Sequence, residues 1–328
     1  MGDTVERTRR VAPWTAVWAL AALVGLAALV NAAPWIAAPP GDSHEGRNAA
    51  VWGLAARALR EDPIGSRMGG RQPDGSPYAD HPPAIILATA VATAPGEGGI
   101  ALRVPSILAS LSSLALLVVL LRRMGYGPLA TGCAVVLTAT SAMFLTYGFM
   151  LDTPMVGLPF ALAGFLVARR IQEGSPPPTW AIAAVGLGAG LTSWQGALAV
   201  VLVAVAICGP SATRARRLAP AAVLAAGAVA GGVVTVAWAW WAFGSLDALR
   251  ASFELRNGDP GGWWAFQQDA AFDLFGPLLL AAERVDERLL LGLQLYATFE
   301  PVAELVGECE HQDREARGLD VVEDHDAL

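Results

Sequence analysis

The sequence predicts an all-α, polytopic membrane bundle of about seven or eight spans, with juxtamembrane helices in its first outer loop. Three observations carry this. Of 328 residues 54% are apolar and only 16% charged, against about a quarter charged in soluble domains. Mean hydropathy is +0.46. The apolar residues come in long blocks with neither a heptad nor a Gly-X-Y period, which excludes coiled-coil, collagen-like and disordered classes. Nucleic acid is not an expected partner: all 22 basic residues are arginine, and the net charge is −7. That acidity sits in residues 283–328, which carry 13 Asp/Glu and 4 Arg, a balance of −9. The rest of the chain is at +2. The division expected is therefore a membrane domain over 1–282 and an acidic tail over 283–328.

Residues 14–38 follow Arg7, Arg9 and Arg10, and about 25 apolar residues suffice to cross a ~30 Å hydrocarbon core. This block reads as a retained anchor, N-terminus in the cytoplasm, because a cleaved signal peptide has a shorter apolar region. Further blocks cover 100–121, 129–149, 154–168, 180–208 and 218–243, with a weaker one at 272–282. Arg122/Arg123, Arg169/Arg170 and Arg214/Arg216/Arg217 follow or precede them, and the positive-inside rule places all three clusters on the cytoplasmic side. That requires the short run 84–94, roughly 17 Å as a helix, to lie at the membrane boundary rather than cross. It also requires 180–208 to go out and come back, turning at its one polar interruption, Thr192-Ser193-Trp194-Gln195-Gly196. Loop 39–99, the turn at Asp152, the 192–196 turn and 244–271 then share the outer face of the cell membrane, where the polar residues also gather.

Cys133 and Cys208 fall in apolar blocks and Cys309 in the tail, with no CxxC spacing, so they read as inert thiols. The first outer loop opens Asp42-Ser43-His44-Glu45-Gly46-Arg47-Asn48, and 49–59 reads as a helix with Trp52, Ala56 and Leu59 on one face. Asp42 with Glu45 can be a capping box, or a chemical site, since ionisable groups beside a membrane exit are expensive unless used. Further along, Tyr78-Ala79-Asp80-His81-Pro82-Pro83 is stiffened by two prolines before the short helix, with Asp80 and His81 either starting that helix or folding back toward His44. Asp152 stands alone between two spans before Thr153-Pro154, as an N-cap, a functional carboxylate or both.

These motifs, in order with Ala101-Leu102-Arg103-Val104-Pro105-Ser106 and Leu151-Asp152-Thr153-Pro154, resemble the GT-C superfamily of polytopic glycosyltransferases. The likeness is to bacterial members related to glycosyltransferase family 39, the group of protein O-mannosyltransferases and lipid A aminoarabinose transferases, and it covers roughly residues 14–250. It implies an enzyme that moves a sugar, with inversion, from a polyprenyl-phosphate donor to an outer-face acceptor, membrane lipids being its surroundings. The family's Asp-Glu base pair matches His44-Glu45 here, so the base is Glu45 with either Asp42 or His44. Asp152 is the third catalytic candidate, and Arg47, Arg103, Asp80 and His81 are candidates for binding substrate. Arg47 and Arg103 suit the departing phosphate, because a guanidinium binds phosphate oxygens bidentately. No cofactor is expected. A divalent metal on His44, Glu45, Asp80, His81 and Asp152 is the alternative, though their spacing is no metal motif.

The family's chains are usually longer, and the abrupt change at 283 raises a shortened or inactive relative as a second reading. A transporter is a third, since Gly186, Gly188, Gly190, Gly231 and Gly232 suit close helix packing. Transporters place ionisable groups at mid-span, however, and no strong block here is interrupted by one. Trp238, Trp240, Trp241, Trp263 and Trp264 read as an interfacial aromatic belt or, less simply, as a stacking surface for sugar or lipid.

Overall fold

The computed structural model describes residues 2–40, 44–70, 82–209 and 214–250. The chain divides into two units, Met1–Asp269 and Ala270–Leu328, and every described residue lies in the first. Among the described residues the regular elements are all helices: α1 Gly2–Ala37, α2 His44–Glu61, α3 Ala84–Ala92, α4 Gly99–Arg123, α5 Pro128–Ala139, α6 Ala142–Tyr147, α7 Thr153–Gln172, α8 Thr179–Thr192, α9 Trp194–Ala206 and α10 Arg214–Phe243.

Four of these carry stretches long and apolar enough to cross a membrane: Pro13–Ala37, Gly99–Arg123, Met155–Gln172 and Ala215–Phe243. Fewer helices reach spanning length than the apolar blocks predict, because polar residues break two of the blocks. Block 129–149 stops at Thr140-Ser141. Both hydroxyls donate back to carbonyls, Thr140 to Val136 at 2.8 Å and Ser141 to Thr138 at 2.8 Å. Ser141 then accepts from the Phe144 amide at 3.1 Å and starts α6. Block 180–208 breaks at Ser193, which is extended (φ −159°, ψ 134°) and caps α9 by accepting from the Gly196 amide at 3.1 Å. The break between α8 and α9 falls within the polar interruption 192–196. Block 272–282 lies outside the described residues.

Polar contacts sort the helix ends into two groups. At one end, Arg122 lies over the Trp14 ring, 4.9 Å from its centroid, Arg123 pairs with Glu173 at 3.1 Å, and Arg169 pairs with the same carboxylate at 3.1 Å. Arg217 donates to the Gln172 carbonyl at 3.3 Å. The three arginine clusters therefore gather at the C-terminal ends of α4 and α7 and the start of α10. The other end, about 30 Å away along the 20 residues of α7, holds Asp152.

The core at the Asp152 end is shared by four helices. Trp52, Ala56 and Leu59 of α2 pack with Ile85 and Ile86 of α3, Leu151 and Val156 around the start of α7, and Trp238, Ala239 and Ala242 of α10. The apolar face expected for α2 is the face it buries. A second core joins Ala28, Ala32 and Ile36 of α1 to Leu114 of α4 and to Phe144 and Phe149, whose rings meet edge to face at 5.9 Å. Outward-facing Leu23, Leu26 and Val30 on α1 and Val229, Val233 and Val234 on α10 stay exposed, as hydrocarbon-facing positions do.

Candidate functional site

Asp152 has the extended backbone of an N-cap (φ −147°, ψ 158°), and its Oδ1 accepts from the Thr153 amide at 2.6 Å. Pro154 in the first turn removes an amide that would have had no helical partner. Its carboxylate thus stands at the positive end of the α7 dipole. Its second oxygen, Oδ2, accepts from Asn48 Nδ2 at 3.3 Å, across 104 residues of chain, and the same amide nitrogen lies 3.9 Å from the Met150 sulfur. The beginning of α2 is therefore brought to the segment at Asp152.

Asn48 is in the second turn of α2. Positions 44 and 45 lie four and three residues before it, the spacing that puts residues on neighbouring rows of one helix face. The side chains of His44 and Glu45, and the whole of Asp42, Asp80 and His81, lie outside the described residues. Arg47 is exposed next to Asn48 and, among the described residues, has no ion-pair partner. Among the described residues there is also no group of three His, Cys, Asp or Glu side chains that could hold a metal ion.

The segment leading to Asp152 is held from behind by α4. Ser106 donates to the Phe149 carbonyl at 3.1 Å, and Ser110, one turn on, donates to the Gly148 carbonyl. Phe149, Met150 and Leu151 are fully buried. Arg103, expected at the outer face as a phosphate ligand, is instead 0% exposed. Its Nη1 donates to the carbonyls of Ile36 at 3.2 Å, Ala38 at 3.3 Å and Gly99 at 3.0 Å. Those first two are end-of-helix carbonyls with no helical donor, so the guanidinium pins the end of α1 to the start of α4.

The 192–196 turn is also at this end. A Cβ at Gly157, in the second turn of α7, would stand 2.5 Å from the Ser193 Cβ, so only glycine lets the turn come so close to Asp152. Thr192 and Ser193 are buried there, and Ser193 Oγ donates to Gln195 Oε1 at 2.8 Å. Across the site, residues 67–69 run left-handed (φ 53°, 58° and 77°) and bring the Arg67 carbonyl to Trp238 Nε1 at 3.3 Å. Position 69 must be glycine, because a Cβ would lie 2.8 Å from the Ala55 carbonyl oxygen. Trp238 is thus a buried structural residue, while Trp240 and Trp241 remain exposed and the Arg67 guanidinium lies over the Trp241 ring, 5.7 Å from its centroid. Trp263 and Trp264 lie outside the described residues.

At its far end α2 is fastened by one carboxylate. Glu97 accepts from Arg57 Nε at 3.0 Å and also pairs with Arg57 Nη2 and Arg60 Nη2. Arg60 additionally donates to the Thr93 hydroxyl just after α3. Hydrogen bonding from Arg57 holds the Glu97 carboxyl below its ordinary 4.5, against the smaller opposing effect of desolvation. The contribution of this tie is fully present above 4.5 and is lost as pH falls through the lowered folded value. Thermal unfolding of the purified protein should therefore weaken slightly below that range, and Glu97→Gln should remove this part of the pH dependence. The effect is small because the pair is exposed. An unaltered pH dependence in Glu97→Gln would show that the tie contributes nothing.

Comparison with known protein families, curated protein sequences and solved structures found no match for this chain. Sequence reading alone singled out Asp152 but missed Asn48, which it passed over as the end of the acidic motif. Helical spacing from His44 and Glu45 was a signal for its face. Nothing in the sequence names its partner.

Proposed function

We propose that the chain is a membrane glycosyltransferase of the GT-C type, which moves a sugar from a polyprenyl-phosphate donor to a hydroxyl of a protein, lipid or cell-wall glycan. One juxtaposition supports this reading above all: the first turns of α2 meet the carboxylate of Asp152 at the end of the bundle away from the three arginine clusters. In the reaction a base deprotonates the acceptor hydroxyl, and the acceptor oxygen bonds to the anomeric carbon. The anomeric C–O bond breaks, its electron pair leaving on the phosphate. Glu45 with Asp42 or His44 supplies the base, an imidazole of ordinary pKa near 6.5 being suited to it. Asp152 completes the acidic set. Arg47 is the exposed guanidinium for the departing phosphate, with Asp80 and His81 as further contacts.

In this reading the arginine end faces the cytoplasm and the Asp152 end the outside of the cell membrane. The helices α8 and α9 make one excursion out and back, and α5 with α6 makes one broken crossing, which brings the count toward seven or eight.

The test is transfer of radiolabelled sugar from polyprenyl-phosphate donors in membranes expressing the full chain. Glu45→Ala should lower transfer by about 10²–10⁴-fold with insertion unchanged, and of Asp42→Ala and His44→Ala the one that removes the second base should do the same. Correctly inserted protein that transfers from no such donor would overturn the proposal.

A further inference from the structure

At the arginine end, a cleft of about 550 Å³ opens between α1 and α5, within the ~300–1,000 Å³ range of ligand clefts. Pro13, Val17 and Leu20 form its α1 wall, and Pro128, Gly132 and Cys133 are on the α5 wall. Gly132, which has no side chain, forms part of its floor. A Cβ there would already stand 3.4 Å from Leu20 Cδ2. Leu129 and Leu137, which also line it, are 82% and 68% exposed, so the cleft faces sideways into whatever surrounds the helices.

The cleft itself is lined by uncharged residues, and a cation lies near its α1 wall. Trp14 follows Pro13 on α1, and the Arg122 guanidinium lies over its ring at 4.9 Å. Arg122 closes α4, six residues before Pro128 opens α5. The neighbouring arginines are engaged: Arg123 and Arg169 share Glu173, and Arg217 bonds the Gln172 carbonyl. Arg122 is exposed, and among the described residues no carboxylate lies within ion-pair distance of it. A guanidinium held over an indole ring makes no hydrogen bond to it, so its N–H groups are left for phosphate oxygens.

We propose that this cleft is a binding site for one anionic glycerophospholipid, its acyl chain between α1 and α5 and its phosphate on Arg122. Shape selects the chain. Charge selects the headgroup, since an exposed arginine at the membrane surface favours an anionic lipid over a zwitterionic one by about fivefold. The site is remote from Asp152 and does not depend on the transferase reading.

Native mass spectrometry of the full chain, purified in mild detergent and titrated with phosphatidylglycerol or phosphatidylcholine, tests it. The unmodified protein should retain one phosphatidylglycerol, about fivefold more tightly than phosphatidylcholine. Arg122→Gln, at an exposed position that leaves the fold intact, should bring the two lipids to parity, whereas Arg123→Gln should leave the preference unchanged. Gly132→Leu should fill the floor and lower retention of both, with thermal unfolding measured alongside. Equal retention of the two lipids by the unmodified protein would overturn the proposal. So would an undiminished preference in Arg122→Gln, or a protein dimer that Gly132→Leu dissociates, which would give the cleft to a second copy.

Discussion

Gly190→Leu is expected to yield little folded protein, and Gly190→Ala a protein that melts well below the unmodified chain. The reason is the seam between α8 and α10, where glycines four residues apart face each other. A Cβ at Gly186 would lie 2.3 Å from the Leu224 carbonyl oxygen, and one at Gly190 would lie 2.2 Å from that of Ala228. On the other side, Gly227 would meet the Ala183 carbonyl oxygen at 2.7 Å and Gly231 the Gly190 Cα at 2.7 Å. All of these neighbours are backbone, so no rotamer change can relieve them. The helices must separate instead. Overpacking of this kind costs about 1–3 kcal/mol for one added group and more for a branched side chain. Gly188→Ala is a different case: its neighbour is the ring of Phe160, a side chain that can turn.

Close packing of glycine-bearing helices is the general source of cohesion where no hydrophobic force acts between apolar surfaces in lipid. It matters for the site because α10 also carries Trp238 and Ala242, which pack against α2 and α3. Melting curves of Gly190→Ala, Gly231→Ala and the double variant should show a combined loss smaller than the sum, since the first substitution already separates the helices that the second would part. A Gly190→Ala protein that melts with the unmodified chain would refute the backbone-to-backbone seam.

The sequence reveals some of this arrangement directly. The period of Trp52, Ala56 and Leu59 is enough to give α2 its buried face, and the polar interruption at 192–196 is enough to place the helix break at Ser193. Arginine placement anticipates a common end for the three clusters, and Glu173 with the Gln172 carbonyl physically joins them. What composition conceals is the cost of single hydroxyls. Thr140 and Ser141 are mild residues by hydropathy, yet their hydroxyls share the Val136 and Thr138 carbonyls with the backbone amides at the point where α5 ends, and Ser141 caps α6, so the apolar block is cut in two. Arg103 shows a second blind spot. A charge counted near a span end looks available to solvent, but whether it finds water or three backbone carbonyls depends on how α1 ends against α4. The meeting of Asn48 and Asp152 is of the same kind, since it follows from the packing of α2 on α7 and α10 rather than from any local pattern.

Asp152→Asn should leave the fold intact and abolish transfer, which separates the two roles its position allows. Asparagine caps a helix as well as aspartate does and has nearly the same volume, so α7 should start unchanged and thermal unfolding should stay close to that of the unmodified chain. What disappears is the charge and one acceptor oxygen, and Asn48 meets the new amide by turning its own carbonyl toward it. If that carboxylate takes part in the reaction, transfer should fall by about 10²–10⁴-fold. Asn48→Ala removes the amide held 3.3 Å from Oδ2 and leaves the cap bond at 2.6 Å, so a smaller loss is expected, with melting nearly unchanged. Asn48→Asp is the more informative partner. It sets a second carboxylate against the first at that distance, and two like charges so close retain a proton to higher pH than either alone. The acidic limb of the pH–rate profile should then move upward, an effect that a purely structural amide would not produce. Transfer at the unmodified rate in Asp152→Asn would assign this residue to capping alone and leave the chemistry to the beginning of α2.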